Sequence, residues 1–341
     1  MAGTPLIRRP ARPLYNGLEI DMLGIGDADC ILVSRWTMGQ VERVLIDGGE
    51  RRHAGYIREF LRRRGVNRIH HVVSSHLDRD HTAGLVELVR DRSLAFGHAW
   101  VHRPELNVTP GELGELNESL EANAGNPLGD FLLESLQNQR DLVQELQARR
   151  VTIDQPFAGE HIGFLEVYGP TQAYYRQLLA RFREREGVRM LCERYETGMI
   201  AEARLPEPDV LRARPRTSPE NNSSTILACA FGDDEYLFTG DAGADGLGRV
   251  VAGGVLENVA WMQIPHHGSH HNITEALIAH FYPKVCYVSA GGGEHPHASV
   301  IEGFKDAGAA VFGTHWRDEG DLHFSVGTVP RRLGFARATP L

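Results

Sequence analysis

Cysteine is scarce and scattered. Cys30, Cys192, Cys229 and Cys286 are the only four in 341 residues, and none forms a CxxC pair. That spacing argues against a disulfide framework and reads as buried thiols in a reducing compartment. Cys229 and Cys286 sit inside apolar, strand-like runs, which fits burial. No apolar run approaches the ~18 residues that a spanning helix needs, and "MAGTPLIRRPARPLY" has no continuous apolar segment of a leader. A soluble, cytoplasmic protein with no membrane partner is expected. Net positive charge is also missing: the formal charge is −9 and the pI about 6.0. The chain therefore lacks the general electrostatic footprint of a duplex-binding module. There is no internal repeat at solenoid periods and no long low-complexity tract.

What is present is ordinary globular composition, 42% hydrophobic and 24% charged, enough for one large domain or two small ones. "LEIDMLGIGDADCILVS" and "ERVLIDGG" read as two neighbouring strands. "AGYIREFLRRRG" is an amphipathic helix with Tyr56, Ile57, Phe60 and Leu61 on one face, ended by Gly65. "IHHVVSS" is a short buried strand, "TAGLVELVRD" a helix and "FGHAWVHRP" another strand. The second half repeats this grammar, with "SSTILACAF" and "DEYLFTGD" forming a hairpin turned at "GDD". Alternating strands and helices indicate an α/β layered fold. One domain is expected over 15–340, carrying two insertions. Residues 104–139 have seven acidic residues and no Lys or Arg, and end in a helix; residues 171–216 are Arg-rich. Ordinary peripheral helices with solvated faces explain both stretches equally well.

Ligand-type side chains crowd "VVSSHLDRDHTAG". His76, Asp78, Asp80 and His81 follow an apolar strand directly, and imidazole with carboxylate is the usual donor set for Zn²⁺ or Mn²⁺ in hydrolytic sites. A polar helix N-terminus capped by Asp80 or Thr82 is the alternative. "LFTGDAG" puts Asp241 at another strand end between small residues. "IPHHGSHHN" offers His266, His267, His270 and His271. "VLIDGG" ends a strand on Asp47, a carboxylate able to orient a ligand histidine.

In this order the motifs "SHLDRDHTAG", "FTGDAG" and "IPHHGSHHN" resemble the metallo-β-lactamase superfamily. "GIGDADCILV", Asp78 where many relatives have histidine, "NNSSTILACAFGDDEYLFTGD" and "HPHASVIEGFKDAGAAVFGT" are similar to its ComEC-type branch, as a stand-alone relative without channel segments. The resemblance covers roughly 17–100, 140–170 and 217–325. It implies an αββα metallo-β-lactamase sandwich and two divalent metals, zinc before manganese. His76 and Asp78 would hold the first ion, Asp80 and His81 the second, and Asp241 would bridge them. One of His266 and His267 would complete the second ion, His267 being favoured, with His266 turned toward a substrate oxygen. The third histidine usual on the first ion has no counterpart in "SPENNSS"; Asn222 is offered there. His297 is expected at the rim. Asp47 and Asp27 are expected to orient ligands. Asp80, His266 and His297 are the residues expected to act on the reaction itself.

Such a site activates water between its two ions, so no Ser or Cys nucleophile is required. The leading expectation is a metal-dependent phosphodiesterase or nuclease on nucleic acid, single strands first, with ten arginines between Arg176 and Arg216 available to phosphates. A solvated helix face explains those arginines more simply. A hydrolase of a small phosphodiester, lactone or thioester is the second expectation. A metal-poor module that docks a protein partner through the insertions is the third.

Overall fold

The computed structural model describes residues 14–109, 111, 127–182, 211, 217–254, 256–314, 320–330, 340 and 341. The first half supplies β1 (Asn16–Met22), β2 (Ile31–Thr37), β3 (Gln40–Ile46), β4 (Arg68–Ser74), β5 (Ala95–Val101) and β6 (Thr152–Asp154). The second supplies β7 (His161–Ile162), β8 (Leu165–Gly169), β9 (Ile226–Phe231), β10 (Asp234–Phe238), β11 (Trp261–Gln263), β12 (Val285–Val288), β13 (Ala310–Gly313) and β14 (Leu322–Thr328). Two seven-stranded sheets result, ordered β14-β1-β2-β3-β4-β5-β6 and β13-β12-β11-β10-β9-β8-β7. Short turns make the antiparallel parts. Met38 and Gly39, both at positive φ, close β2 onto β3, as a twisted two-residue hairpin requires. The hairpin expected at "GDD" forms with Phe231 opposite Asp234.

The helices are α1 (Ala54–Arg63), α2 (Arg79–Arg90), α3 (Pro127–Ala148), α4 (Gln172–Phe182), α5 (Pro219–Asn222), α6 (Ala244–Ala252), α7 (Glu275–Phe281) and α8 (Ala298–Asp306). Three apolar layers follow. Leu18, Val33, Leu227, Phe238 and Trp261 fill the space between the sheets. Ile57, Val86 and Leu146 cover the outer face of the first sheet, and Leu247, Phe281 and Phe304 that of the second. This is the αββα arrangement. Helices become the crossovers wherever the strands run parallel, as in β3-β4-β5-β6 and β10-β11-β12-β13.

Two local expectations are corrected. The run from Leu18 to Ser34 is two strands, β1 and β2, paired antiparallel around the loop 23–30. Tyr56 is exposed, and Ala54 joins Ile57, Phe60 and Leu61 inside. Tyr56 lies about 100° around the helix from Ile57, at the margin of the apolar stripe. Cys30, Cys229 and Cys286 are free and buried, while Cys192 lies outside the described residues. Among those residues no helix is long and apolar enough to cross a membrane. Of the two expected insertions, α3 and α4 are described; they pack on each other through Leu132, Leu136, Tyr175 and Leu178, and on Leu77. Positions 110, 112–126, 183–210 and 212–216 lie outside the described residues.

Candidate metal centre

Strand ends from both sheets meet at one edge of the sandwich. β3 delivers Asp47, β4 delivers His76, β10 delivers Asp241, and β11 delivers His266 and His267. Asp47, His266 and His267 all have left-handed backbones, at φ 59°, 48° and 54°. Each such residue costs of order 1–3 kcal/mol, so the surrounding contacts must fix it. At Asp47 the backbone N–H donates to the Val73 carbonyl at 2.9 Å. α2 is held against the next two residues. The Gly48 N–H donates to the His81 carbonyl and the Gly84 N–H to the Gly49 carbonyl, both at 2.8 Å. A Cβ on Gly84 would lie 1.8 Å from the Gly48 carbonyl oxygen, so only glycine permits this approach.

The hydrogen bonds fix how each imidazole faces. Asp47 accepts the backbone N–H of Ser75 at 2.7 Å, the Ser75 hydroxyl at 2.6 Å and His81 Nδ1–H at 2.7 Å. With its proton given to Asp47, the Ser75 oxygen can accept His76 Nδ1–H at 3.1 Å. His267 Nδ1 lies 3.0 Å from the Ser289 carbonyl, which can only accept. His266 Nδ1–H donates to Asn272 Oδ1 at 2.8 Å, and Asn272 Nδ2 donates to the Asp241 carbonyl at 2.8 Å. Every Nδ1 is thus used on the outside, and all four Nε2 atoms face inward.

Inside, Asp241 Oδ2 lies 3.3 Å from His81 Nε2 and 3.7 Å from both His76 Nε2 and His266 Nε2. Asp80 Oδ2 is 3.5 Å from His81 Nε2 and from His267 Nε2. Asp78 Oδ2 is 3.5 Å from His76 Nε2. Asp78 occupies the N-cap of α2 without a side-chain capping bond, and Thr82 donates to the His76 carbonyl at 2.9 Å. Neither spends its side chain as a simple cap. His76, His81 and His267 Nε2, with Asp78 and Asp241 Oδ1, are buried and lack any hydrogen-bond partner. Orphaned buried polar atoms are rare and costly, and a group of them facing inward fits a bound cation. Asp80, His81, Asp241 and His267 each offer an atom within 4.8 Å of the others, as one ion requires.

The field has the right sign. Burial opposes charge on His81, yet Asp241, Asp47 and Asp80 push its pKa well above that of an ordinary imidazole. Burial is likewise outweighed at His267, chiefly by Asp241, and its pKa rises to about 9. Burial would raise Asp241, but His81, His266 and His267 hold it well below the usual carboxylate range. A cavity that favours protons on its imidazoles favours divalent cations in their place.

Other expected positions lie elsewhere. Asn222 turns away from the histidines, its amide donating to the Ser218 carbonyl and its oxygen accepting the Gly246 N–H. Asn221 is the amide that faces His266, at 3.2 Å from Nδ1. Asp27 is exposed and accepts the Gly291 N–H at 2.7 Å. From the same loop it is Asp29 that is buried, 4.0 Å from both His81 Nδ1 and His267 Nδ1. Asp29 accepts Gln263 Nε2–H at 2.7 Å and is also bonded by the Ser289 hydroxyl. His297 caps α8 by accepting the Ser299 N–H, and its ring lies beside His270, which in turn stacks near His271. His295 is the histidine over the site, with ring centroids 5.7 Å from His266 and 6.3 Å from His267. Its Nδ1 is buried and unpartnered, and burial followed by His266 and His267 lowers its pKa to about 4.

Sequence reasoning missed Asp29, Asn221, His295 and the buried acid Glu220. Asp29 and Asp27 are two apart in one loop, and only the path of that loop separates them. Asn221, Asn222 and Glu220 share one helical turn whose rotation cannot be read from composition.

Residues 24–170 match the metallo-beta-lactamase superfamily. No curated protein matches the chain. Among solved structures, a hydrolase of the beta lactamase superfamily, AbOPH, is similar over 63% of this chain and 55% of its own, at 14% identity and a TM-score of 0.34. A mutant of CmlA beta-hydroxylase is similar over 91% of this chain and 54% of its own, at 13% identity and a TM-score of 0.42. The chain thus spans about half the length of both. At these identities and scores, neither neighbour bears on what this chain acts on.

Proposed function

By that match and its αββα fold the chain is a member of the metallo-β-lactamase superfamily, and from that premise we propose a metal-dependent phosphodiesterase acting on nucleic acid. The observation that carries the hydrolase reading is the inward-facing set of unpartnered Nε2 and carboxylate oxygen atoms from His76, Asp78, His81, Asp241 and His267. What supports the phosphodiester class is the resemblance of "SHLDRDHTAG" and "NNSSTILACAFGDDEYLFTGD" to the ComEC-type branch.

His76 and Asp78 would hold one divalent ion, Asp80, His81 and His267 the other, and Asp241 would contact both. Bound there, the pair supplies an acidified water as nucleophile and positive charge for the group attacked. The protein's own part is positioning. Asp47 fixes His81 and, through Ser75, His76. The Ser289 carbonyl fixes His267, with Asp29 close behind. His266 is held by Asn272 with Nε2 directed into the site, where it can donate to a substrate oxygen. His295, kept neutral, can pass a proton at the rim.

The test is cleavage of labelled single- and double-stranded DNA and RNA by protein loaded with Zn²⁺ or Mn²⁺, beside Asp80→Ala. Cleavage that disappears in the variant supports the proposal. Two bound ions with no cleavage of any polymer overturn the nucleic-acid assignment and turn the search to small phosphodiesters, lactones and thioesters.

A further inference from the structure

We propose that Glu220 is a protein ligand of the first ion, alongside His76, Asp78 and Asp241, and that this carboxylate-rich set selects manganese where Asp80, His81 and His267 select zinc. The proposal deepens the metallo-hydrolase reading and rests on it.

Glu220 sits on α5, a single turn clamped to both halves of the site. Just after that turn, Thr225 donates its backbone N–H and its hydroxyl to the Ser75 carbonyl, at 2.8 and 3.0 Å. Ser224 Oγ accepts the Asp241 backbone N–H at 3.2 Å. The turn is therefore tied to the loop that carries His76 and to the loop that carries Asp241. Its three polar side chains then diverge. Asn222 bonds outward to Ser218 and Gly246, and Asn221 faces His266. Glu220 points inside, 5% exposed, with Oε2 buried and without a partner.

A buried carboxylate is costly unless something compensates its charge. Here the nearest strong influence after burial is another carboxylate, Asp78, which raises the Glu220 pKa further, to about 7. Ser218 and the residue's own N–H offset this in part, and His76 pulls it back a little. No described arginine or lysine forms an ion pair with it. Two acids, Asp78 and Glu220, are thus set near one another in a dry place, each with an unpartnered oxygen, beside the unpartnered Nε2 of His76. Packing alone gives no reason for that arrangement. A divalent cation among the three satisfies every orphan at once and turns the repulsion between the acids into shared ligation.

The donor sets then differ between the two ions. His76, Asp78, Glu220 and Asp241 give one imidazole and three carboxylates. Asp80, His81, His267 and Asp241 give two imidazoles and two carboxylates. Oxygen-rich sets suit manganese, and imidazole suits zinc. Glu220 thus fills the place for which the sequence offers no histidine, and it changes which metal that place prefers.

The experiment uses the full chain, stripped of metal and equilibrated with equal Mn²⁺ and Zn²⁺. Metal content and the Mn²⁺ paramagnetic resonance signal are the readouts. The wild type is expected to hold one manganese and one zinc. Glu220→Gln is expected to lose manganese, with affinity about 10- to 100-fold weaker, while keeping the zinc, which also reports an intact fold. Glu220→His is expected to bind zinc at both places and lose the manganese signal. Manganese binding by Glu220→Gln equal to wild type overturns the ligand assignment but leaves the metallo-hydrolase reading standing. Two zinc ions in the wild type overturn the selectivity. No ion in the wild type overturns the metallo-hydrolase reading, and this proposal with it.

Discussion

The Asp47 carboxylate accepts the Nδ1–H of His81 at 2.7 Å, and the opposite nitrogen of the same ring faces Asp241 at 3.3 Å. One bond thus sets the tautomer, the ring angle and the basicity of a candidate ligand. Asp47→Asn keeps the shape but loses the charge. Metal affinity is expected to fall about 10- to 100-fold, read by competition with a chelator of known affinity.

The two pairs in "HHGSHH" separate cleanly in space. His267 faces Asp80, whereas His270 lies against His271 and His297. His267→Ala is expected to lose zinc from the second position, and His270→Ala to keep the wild-type metal content. Equal loss in both variants, measured by elemental analysis after dialysis, would contradict the assignment.

Gly84 is where α2 meets the loop after β3. Gly84→Ala places a methyl 1.8 Å from the Gly48 carbonyl, in backbone that cannot move far. A loss of about 1–3 kcal/mol or more is expected, as for overpacking in a tight contact. Denaturant unfolding of the metal-free protein checks it, with the midpoint lowered and the slope unchanged.

His102 is buried on β5's exit beside Tyr175, with ring centroids 4.6 Å apart. Burial, then the nearby His76, lowers its pKa to about 3 from 6.5. The unfolded chain therefore binds this proton first. Its contribution to stability is intact above about pH 6.5 and is lost progressively as pH falls toward 3. His102→Gln removes that dependence. The variant's thermal midpoint is expected to fall less steeply than the wild type's between pH 6.5 and 4.

Much of this was legible in the chain. Period-two apolar runs gave the strands, and 3.6-residue spacing gave α1, α2, α7 and α8, because burial of one face acts on residues close in sequence. The residue types at four strand ends pointed to a metal for a similar reason: His76, Asp78, Asp80 and His81 are neighbours along the chain. The same local logic failed where a single residue of rotation matters. Asp27 and Asp29 differ only in which way their loop faces, and Asn222 and Glu220 only in their angle on one turn.

The sequence by itself determined the layers of the fold and the chemistry of the donor set, since both depend on residue type and local spacing. Only the tertiary structure decided which donors converge. His81 and Asp241 are 160 positions apart, and their 3.3 Å separation exists because two sheets pack face to face and bring their strand ends to a common edge. That packing also buries Glu220 beside Asp78, where each acid's cost depends on the other.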